Sequence, residues 1–200
     1  MCTNRYALVP LLLAVTVANA ACPDTPNNNF ADAKKAGRDT LATTKLSAQL
    51  SCDPTAPIND ASPCNRFVSK GLVDLHGVSD FVRGDGHLTA NEIYDYVSQP
   101  SSGWKSIGVL ADTDNSLCAQ FLANRGTPVI AAIKHAVHGH VALVLPGELK
   151  SSTTWGAFAP NSAAFKYFSP NSAQTYVNGR LSQAFTAADA ATAFYFYRDK

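Results

Sequence analysis

The 200-residue sequence predicts an α+β domain, on three observations. Helix-period apolar patterns fill most of its first two-thirds, apolar and β-branched runs dominate the remainder, and an aromatic run, Phe194-Tyr195-Phe196-Tyr197, closes the chain as a last strand. No internal repeat, low-complexity stretch or charge run divides it, so one domain with one sizeable core is expected.

Residues 1–20 read as a secretory signal peptide. Arg5 precedes a largely apolar run from Tyr6 to Val17, and Ala18-Asn19-Ala20 supplies a small-x-small site for cleavage after Ala20. The apolar core is too short for a comfortable membrane span, so no stable membrane insertion is expected. Asn19 stands where a lipoprotein signal carries a branched apolar residue, which disfavours acylation of Cys22. The chain is therefore expected to be secreted or periplasmic. Cleavage removes Cys2 and Arg5, leaving basic and acidic side chains equal in number, and no charge-driven role with nucleic acid or membrane follows. Cys22, Cys52, Cys64 and Cys118 remain, in a compartment where disulfides form.

Residues 21–62 read as an N-terminal helix and a loop leading into the domain. Phe30 to Leu50 is helical in pattern, with Leu41, Leu46 and Leu50 on its apolar side, and Asp53 to Pro63 is a proline-rich loop. Residues 63–200 form the principal domain. Ser62 suits an N-cap and Pro63 a first helical position, which puts Cys64 in the first turn of a helix whose apolar stripe is Phe67, Val68, Gly71, Leu72 and Leu75. Thr89-Ala90-Asn91-Glu92 has capping-box spacing before Ile93, Tyr94 and Val97. Leu117 to Asn124 is helical and stops at Gly126, and Pro128 to Ile133 reads as a buried strand beside Val141 to Leu145, which Pro146-Gly147 ends. Trp155 to Phe168 adds aromatic, β-like sequence. Asp85 to Thr89 and Asp112 to Asn115 resemble pieces of calcium loops. In the first, Phe81 and Arg83 fall where oxygen ligands belong, and the second lacks the glycine and distal glutamate, so both read as turns and caps.

Chemistry concentrates on two residues. A thiol attacks a carbonyl as thiolate, and a helix N-terminus favours that charge, which suits Cys64. His140, at the mouth of an apolar strand, can take the thiol proton and return it to a leaving amine. If Cys64 is a nucleophile, Cys22, Cys52 and Cys118 remain, of which two can bridge; the pairing stays open.

Cys64-Asn65-Arg66-Phe67-Val68, then Trp104, Ala123-Asn124-Arg125-Gly126-Thr127-Pro128-Val129, Gly139-His140-Val141-Ala142-Leu143-Val144-Leu145-Pro146-Gly147, Trp155-Gly156 and the terminal Phe-Tyr strand together resemble the papain-like peptidoglycan amidases. These comprise the NlpC-type and CHAP-type hydrolases and the amidase effectors of type VI secretion. The likeness spans Pro63 to Tyr197 and rests on order and spacing. It implies a papain-like fold, with the cysteine-bearing helix packed on an antiparallel sheet that carries the histidine. It also implies a thiol hydrolase of cell-wall peptides that needs no metal or cofactor, acts as a monomer, and admits a protein inhibitor as partner. Carried over, Cys64 matches the nucleophile and His140 the base. Asn161 is the choice for the third residue that fixes the imidazole tautomer, ahead of Glu148, and the Cys64 amide is one oxyanion donor. Trp104 and Trp155 are candidates to line a substrate groove. His87 and His135 belong to no motif.

Two other readings compete. His76-x-x-x-Asp80 with His138-x-His140 copies the ligand spacings of lysostaphin-type zinc endopeptidases, although the order of the flanking segments differs. A secreted, disulfide-stabilised binding module would use Cys64 as a bridge and needs no histidine.

Overall fold

A computed structural model describes residues 22–23, 25–27, 29–50, 63–165 and 175–199. The expected signal peptide, Cys52, Ser62 and most of the proline-rich loop lie outside them. The fold is α+β and its centre is a six-stranded antiparallel sheet.

In chain order the elements are α1 (Phe30–Lys35), α2 (Arg38–Ser47), α3 (Pro63–His76), β1 (Val82–Arg83), β2 (Gly86–His87), α4 (Ala90–Val97), β3 (Trp104–Val109), α5 (Thr113–Asn124), β4 (Val129–Ile133), β5 (His140–Val144), β6 (Lys150–Ser152), β7 (Ala157–Ala159), β8 (Asn161–Ala164), β9 (Tyr176–Arg180), α6 (Ala187–Ala190) and β10 (Phe194–Arg198). A 3-10 turn, Leu181–Gln183, precedes α6. The main sheet runs β3-β10-β4-β5-β8-β9, while β1–β2 and β6–β7 are separate small ribbons.

The apolar runs of β4 and β5 arise because both faces of the sheet are covered. Ile130, Ala132, Val141, Leu143, Leu145 and Phe196 face one layer, shared with Leu46 of α2, Phe67, Val68 and Leu72 of α3, and Ile93 and Val97 of α4. Ala131, Ile133, Ala142, Val144, Tyr195 and Tyr197 face the other, shared with Cys118, Ala119 and Leu122 of α5 and with Phe185 and Ala190. With period-two side chains, neither set can be polar.

Several expected elements form as read. Thr89 and Glu92 close a reciprocal capping box on α4. Asp112 caps α5 by accepting from the amides of Asp114 and Asn115, so that helix starts four residues before Leu117. The terminal strand β10 is inserted between β3 and β4. The stretch from Phe30 to Leu50 is two helices, not one, because Gly37 takes φ +67° and turns the chain between α1 and α2. Only part of its expected apolar side is used: Leu46 is fully buried, whereas Leu41 is 47 % exposed.

Cys22 bridges Cys118, tying the N-terminal lead to α5 across 96 residues of sequence. Among the described residues, no helix is long and apolar enough to cross a membrane. Closing so long a loop restricts the unfolded chain strongly, so Cys22→Ala/Cys118→Ala is expected to lose about 2–5 kcal/mol of stability. Urea unfolding checks this; an unchanged midpoint would show that the bridge contributes nothing.

Candidate active site

The backbone brings the two chemically informative residues to one end of the fold. Gly71 of α3 lies so close to β5 that an added Cβ would sit 2.5 Å from Leu143 Cδ1 and 2.9 Å from Leu46 Cδ2. At the far end of α3, Leu75, His76 and Val78 share a cleft with Gly126 and Pro128, beside Val129, which pairs with Val144. The helix and β5 therefore run in the same direction. Cys64 precedes Gly71 by two helical turns, about 10 Å, and His140 precedes Leu143 by about 10 Å of strand. Both residues reach the same edge of the sheet.

Their side chains occupy different layers. Cys64 is 5 % exposed and belongs to the layer of Phe67, Val68 and Val141. His140 pairs with Ile133 and shares its face with Ala142 and Val144; its ring stands against Phe185, with centroids 5.0 Å apart. β5 therefore lies between the cysteine and the imidazole. Gly139 is held tightly here, since a Cβ at that position would meet the Ile133 carbonyl at 2.4 Å and Asn91 Oδ1 at 2.5 Å.

The acidic group that interacts with this imidazole is Asp189, and the Asn161 amide lies elsewhere. Burial alone would raise the Asp189 carboxyl. Hydrogen bonds from the Thr186 hydroxyl and amide, with the neighbouring His135 and His140, instead hold it below the usual carboxylate range. His135 Nε2 approaches Asp189 Oδ1 at 3.4 Å. The sequence carried one signal for this residue, the capping-box spacing Thr186-Ala187-Ala188-Asp189, which does form on α6.

Asn161 is placed at the opposite end of β5, where its carbonyl accepts from the Leu145 amide. Its side chain is engaged there: Nδ2 donates to Pro146 O at 2.8 Å and Asn178 Oδ1 at 3.1 Å, and Oδ1 accepts from Lys150 Nζ at 2.8 Å. It cannot orient an imidazole five residues away along the strand, about 16 Å. Glu148 is exposed beyond the Pro146-Gly147 turn. Trp104 is core: it is buried, stacked on Phe81 at 5.3 Å, and donates its indole N–H to Asp80. Trp155 is half-buried and donates to the Phe185 carbonyl at 3.0 Å, which puts it one residue removed from His140.

The zinc-type ligand set is divided. His76 ends α3, away from the His140 edge, and Asp80 is taken by Trp104 and by Arg198 at 2.6 Å. Among the described residues, no three His, Cys, Asp or Glu side chains gather as a metal site. Cys22 and Cys118, being joined to each other, are excluded as disulfide partners of Cys64, and Cys52 lies outside the described residues.

On the Cys64 side, α3 carries polar groups that motif reading passed over. Asn65 is fully buried and donates to the Leu88 carbonyl, while its Oδ1 has no hydrogen-bond partner among the described residues. His87 Nδ1 lies 2.8 Å from Ser69 Oγ. Burial first, then the charges of Arg66 and Lys70, lower the His87 pKa from its ordinary 6.5. No protein-family model matches the chain, and no curated protein matches its sequence.

Two outcomes follow from these placements. Asn161→Ala should cost about 1–3 kcal/mol, because it removes the donor to the Pro146 carbonyl and one of the two acceptors of Lys150, which keeps only the Asn178 carbonyl; activity per folded molecule should be unchanged, as unfolding and rate assays together would show. His87 is harder to protonate folded than unfolded, so it adds stability above about pH 6.5 that fades as the pH falls below that value. Denaturation midpoints between pH 8 and pH 5 should therefore drop more for the native chain than for His87→Gln; parallel curves would contradict this.

Proposed function

We propose that the chain is an exported cysteine hydrolase of papain-like, NlpC-type build that cleaves amide bonds in peptidoglycan peptides. The observation that carries the reading is the placement of Cys64 in the first turn of α3, with that helix running along β5 so that His140 opens the strand at the same edge. The Cys22–Cys118 bridge supports export, since such bonds persist in oxidising compartments. The substrate class rests on the resemblance in motif order.

In this mechanism the Cys64 thiolate attacks the amide carbonyl, and the tetrahedral oxyanion takes a hydrogen bond from the Cys64 amide. The amine departs with a proton from the imidazolium, leaving a thioester, and a water deprotonated by the imidazole then releases the acid and restores the thiol. The pathway requires the His140 imidazole to leave Phe185 and pass round the open start of β5 to the sulfur. Asp189, paired with His135, adds a negative charge to the same neighbourhood.

The separation of Cys64 and His140 by β5 favours a second reading, a secreted binding module in which both are structural. The two readings part on one experiment, digestion of purified peptidoglycan with mass analysis of the fragments. The hydrolase reading expects peptide-bond cleavage that iodoacetamide stops and a zinc chelator does not, with Cys64→Ala and His140→Ala each slower by about 10³-fold or more. Intact peptidoglycan, or cleavage that survives Cys64→Ala, would overturn it.

A further inference from the structure

A cleft of about 350 Å³ opens at the Pro128 edge of the sheet, a volume within the range that holds small molecules. The end of α3 that reaches it lies about 18 Å along the helix from Cys64, so the cleft is separate from the candidate thiol site. Its wall divides by chemistry. Leu75, Val78 and Pro128 supply an apolar side, Arg198 a cation and Asp199 a carboxylate. At His76 the wall also receives the carbonyl end of α3, where positive charge is favoured.

The cation is held in a fixed pose. Arg198 Nε donates to Asp80 Oδ2 at 2.6 Å and Nη2 to Asp80 Oδ1 at 3.4 Å, and the same carboxylate accepts from the buried Trp104 indole at 2.9 Å. The Arg198 and Asp80 side chains are only 34 % and 15 % exposed. Among the described residues, Arg198 Nη1 makes no hydrogen bond, so the guanidinium keeps donors for a ligand. A second guanidinium backs the wall at Gly126, where an added Cβ would lie 3.2 Å from Arg38 Nε; Arg38 Nη1 is itself tied to the Asn124 carbonyl at 2.9 Å. Asp80 pairs with Arg198 and Lys105 with Asp199, so the cleft offers both signs of charge side by side beside an apolar surface.

We propose that this cleft binds a free apolar α-amino acid as its zwitterion. The carboxylate lies on Arg198, the ammonium on Asp199 and the carbonyl end of α3, and the side chain against Leu75, Val78 and Pro128. A carboxylate matches the planar donor edge of a guanidinium, and because Asp80 already orders this one, little freedom is lost on binding. A simple anion or cation would use one pole of the wall, and glycine would leave the apolar side bare. The site does not depend on the role of Cys64.

The test is a titration of the ¹⁵N-labelled native chain with leucine, followed through its two indole N–H signals. Trp104 reports on the cleft through Asp80, whereas Trp155 donates to the Phe185 carbonyl near the His140 edge and serves as the control. Leucine is expected to shift the Trp104 signal saturably, with a midpoint of about 1 mM, and to leave Trp155 unmoved. Leucinamide, N-acetyl-leucine and glycine disable in turn the carboxylate, the ammonium and the apolar contact, and each should bind at least about tenfold more weakly. Arg198→Lys keeps a charge opposite Asp80 but loses the fork, and should weaken leucine about tenfold. The analogue series uses the unaltered protein, so it decides the matter even if that variant does not fold. No Trp104 shift up to about 50 mM leucine, equal shifts at both indoles, an analogue that binds as tightly as leucine, or full affinity in a folded Arg198→Lys variant would overturn the site.

Discussion

The close approach of α3 to β5 at Gly71 is the contact on which the architecture depends. An alanine there would press on the ends of the Leu143 and Leu46 side chains and oblige them to shift, so the helix sits close against the strand. That spacing packs Val68 and Leu72 around Leu143, brings α2 in over them through Leu46, and settles where each end of α3 falls. With the direction of α3 tied to β5, Cys64 must arrive at the His140 edge and His76 at the Pro128 edge. The proposed thiol chemistry and the failure of the zinc-type ligand set both follow from this one packing choice.

The two edges of the sheet are built differently. At the end of β5 away from His140, the chain is locked by amides: Gln120 donates to Asn124 Oδ1 and the Leu145 carbonyl and accepts from the Asn161 amide, and Asn124 exchanges two hydrogen bonds with Gly147. Buried groups of this kind are stable only when fully paired, which leaves the network little freedom. At the His140 end, the loop from Lys134 to Gly139 is exposed or half-buried and is held mainly by Asn91 and by the His135–Asp189 contact. The candidate chemistry lies at the end of β5 where the adjoining loop is the more exposed.

Much of the fold was legible because its local signals are strong. Pro63 ahead of an apolar stripe, the Thr89–Glu92 capping box, the β-branched run before Ile133 and the aromatic terminal strand each state a backbone preference that tertiary packing had no reason to override. β3 was harder to see, since Trp104 to Val109 mixes an indole, a lysine and a glycine, and its strand state comes from pairing with β10. Asn161 was attractive as a third catalytic residue because it follows the Trp155-Gly156 segment and its amide oxygen can accept from an imidazole without carrying charge. Register with β5 places it beside Leu145, and its side chain serves the amide network instead. Asp189 was passed over because it acts near His140 only after the chain has travelled through β8, β9 and the 3-10 turn.

The sequence by itself determined several of the helices and strands, that Cys64 opens a helix and His140 a strand, and that alternate residues of β5 point to opposite layers. Period-two geometry even assigns His140 to the side of Ala142 and Val144. Which of those sides α3 would cover, and that the other would be taken by α5 and Phe185, was decided only by tertiary packing. Both sides of β5 are apolar, so no hydrophobic preference distinguishes them locally. The close contact at Gly71 and the bridge that ties the N-terminal lead to α5 are made between residues distant in sequence, and they choose the side.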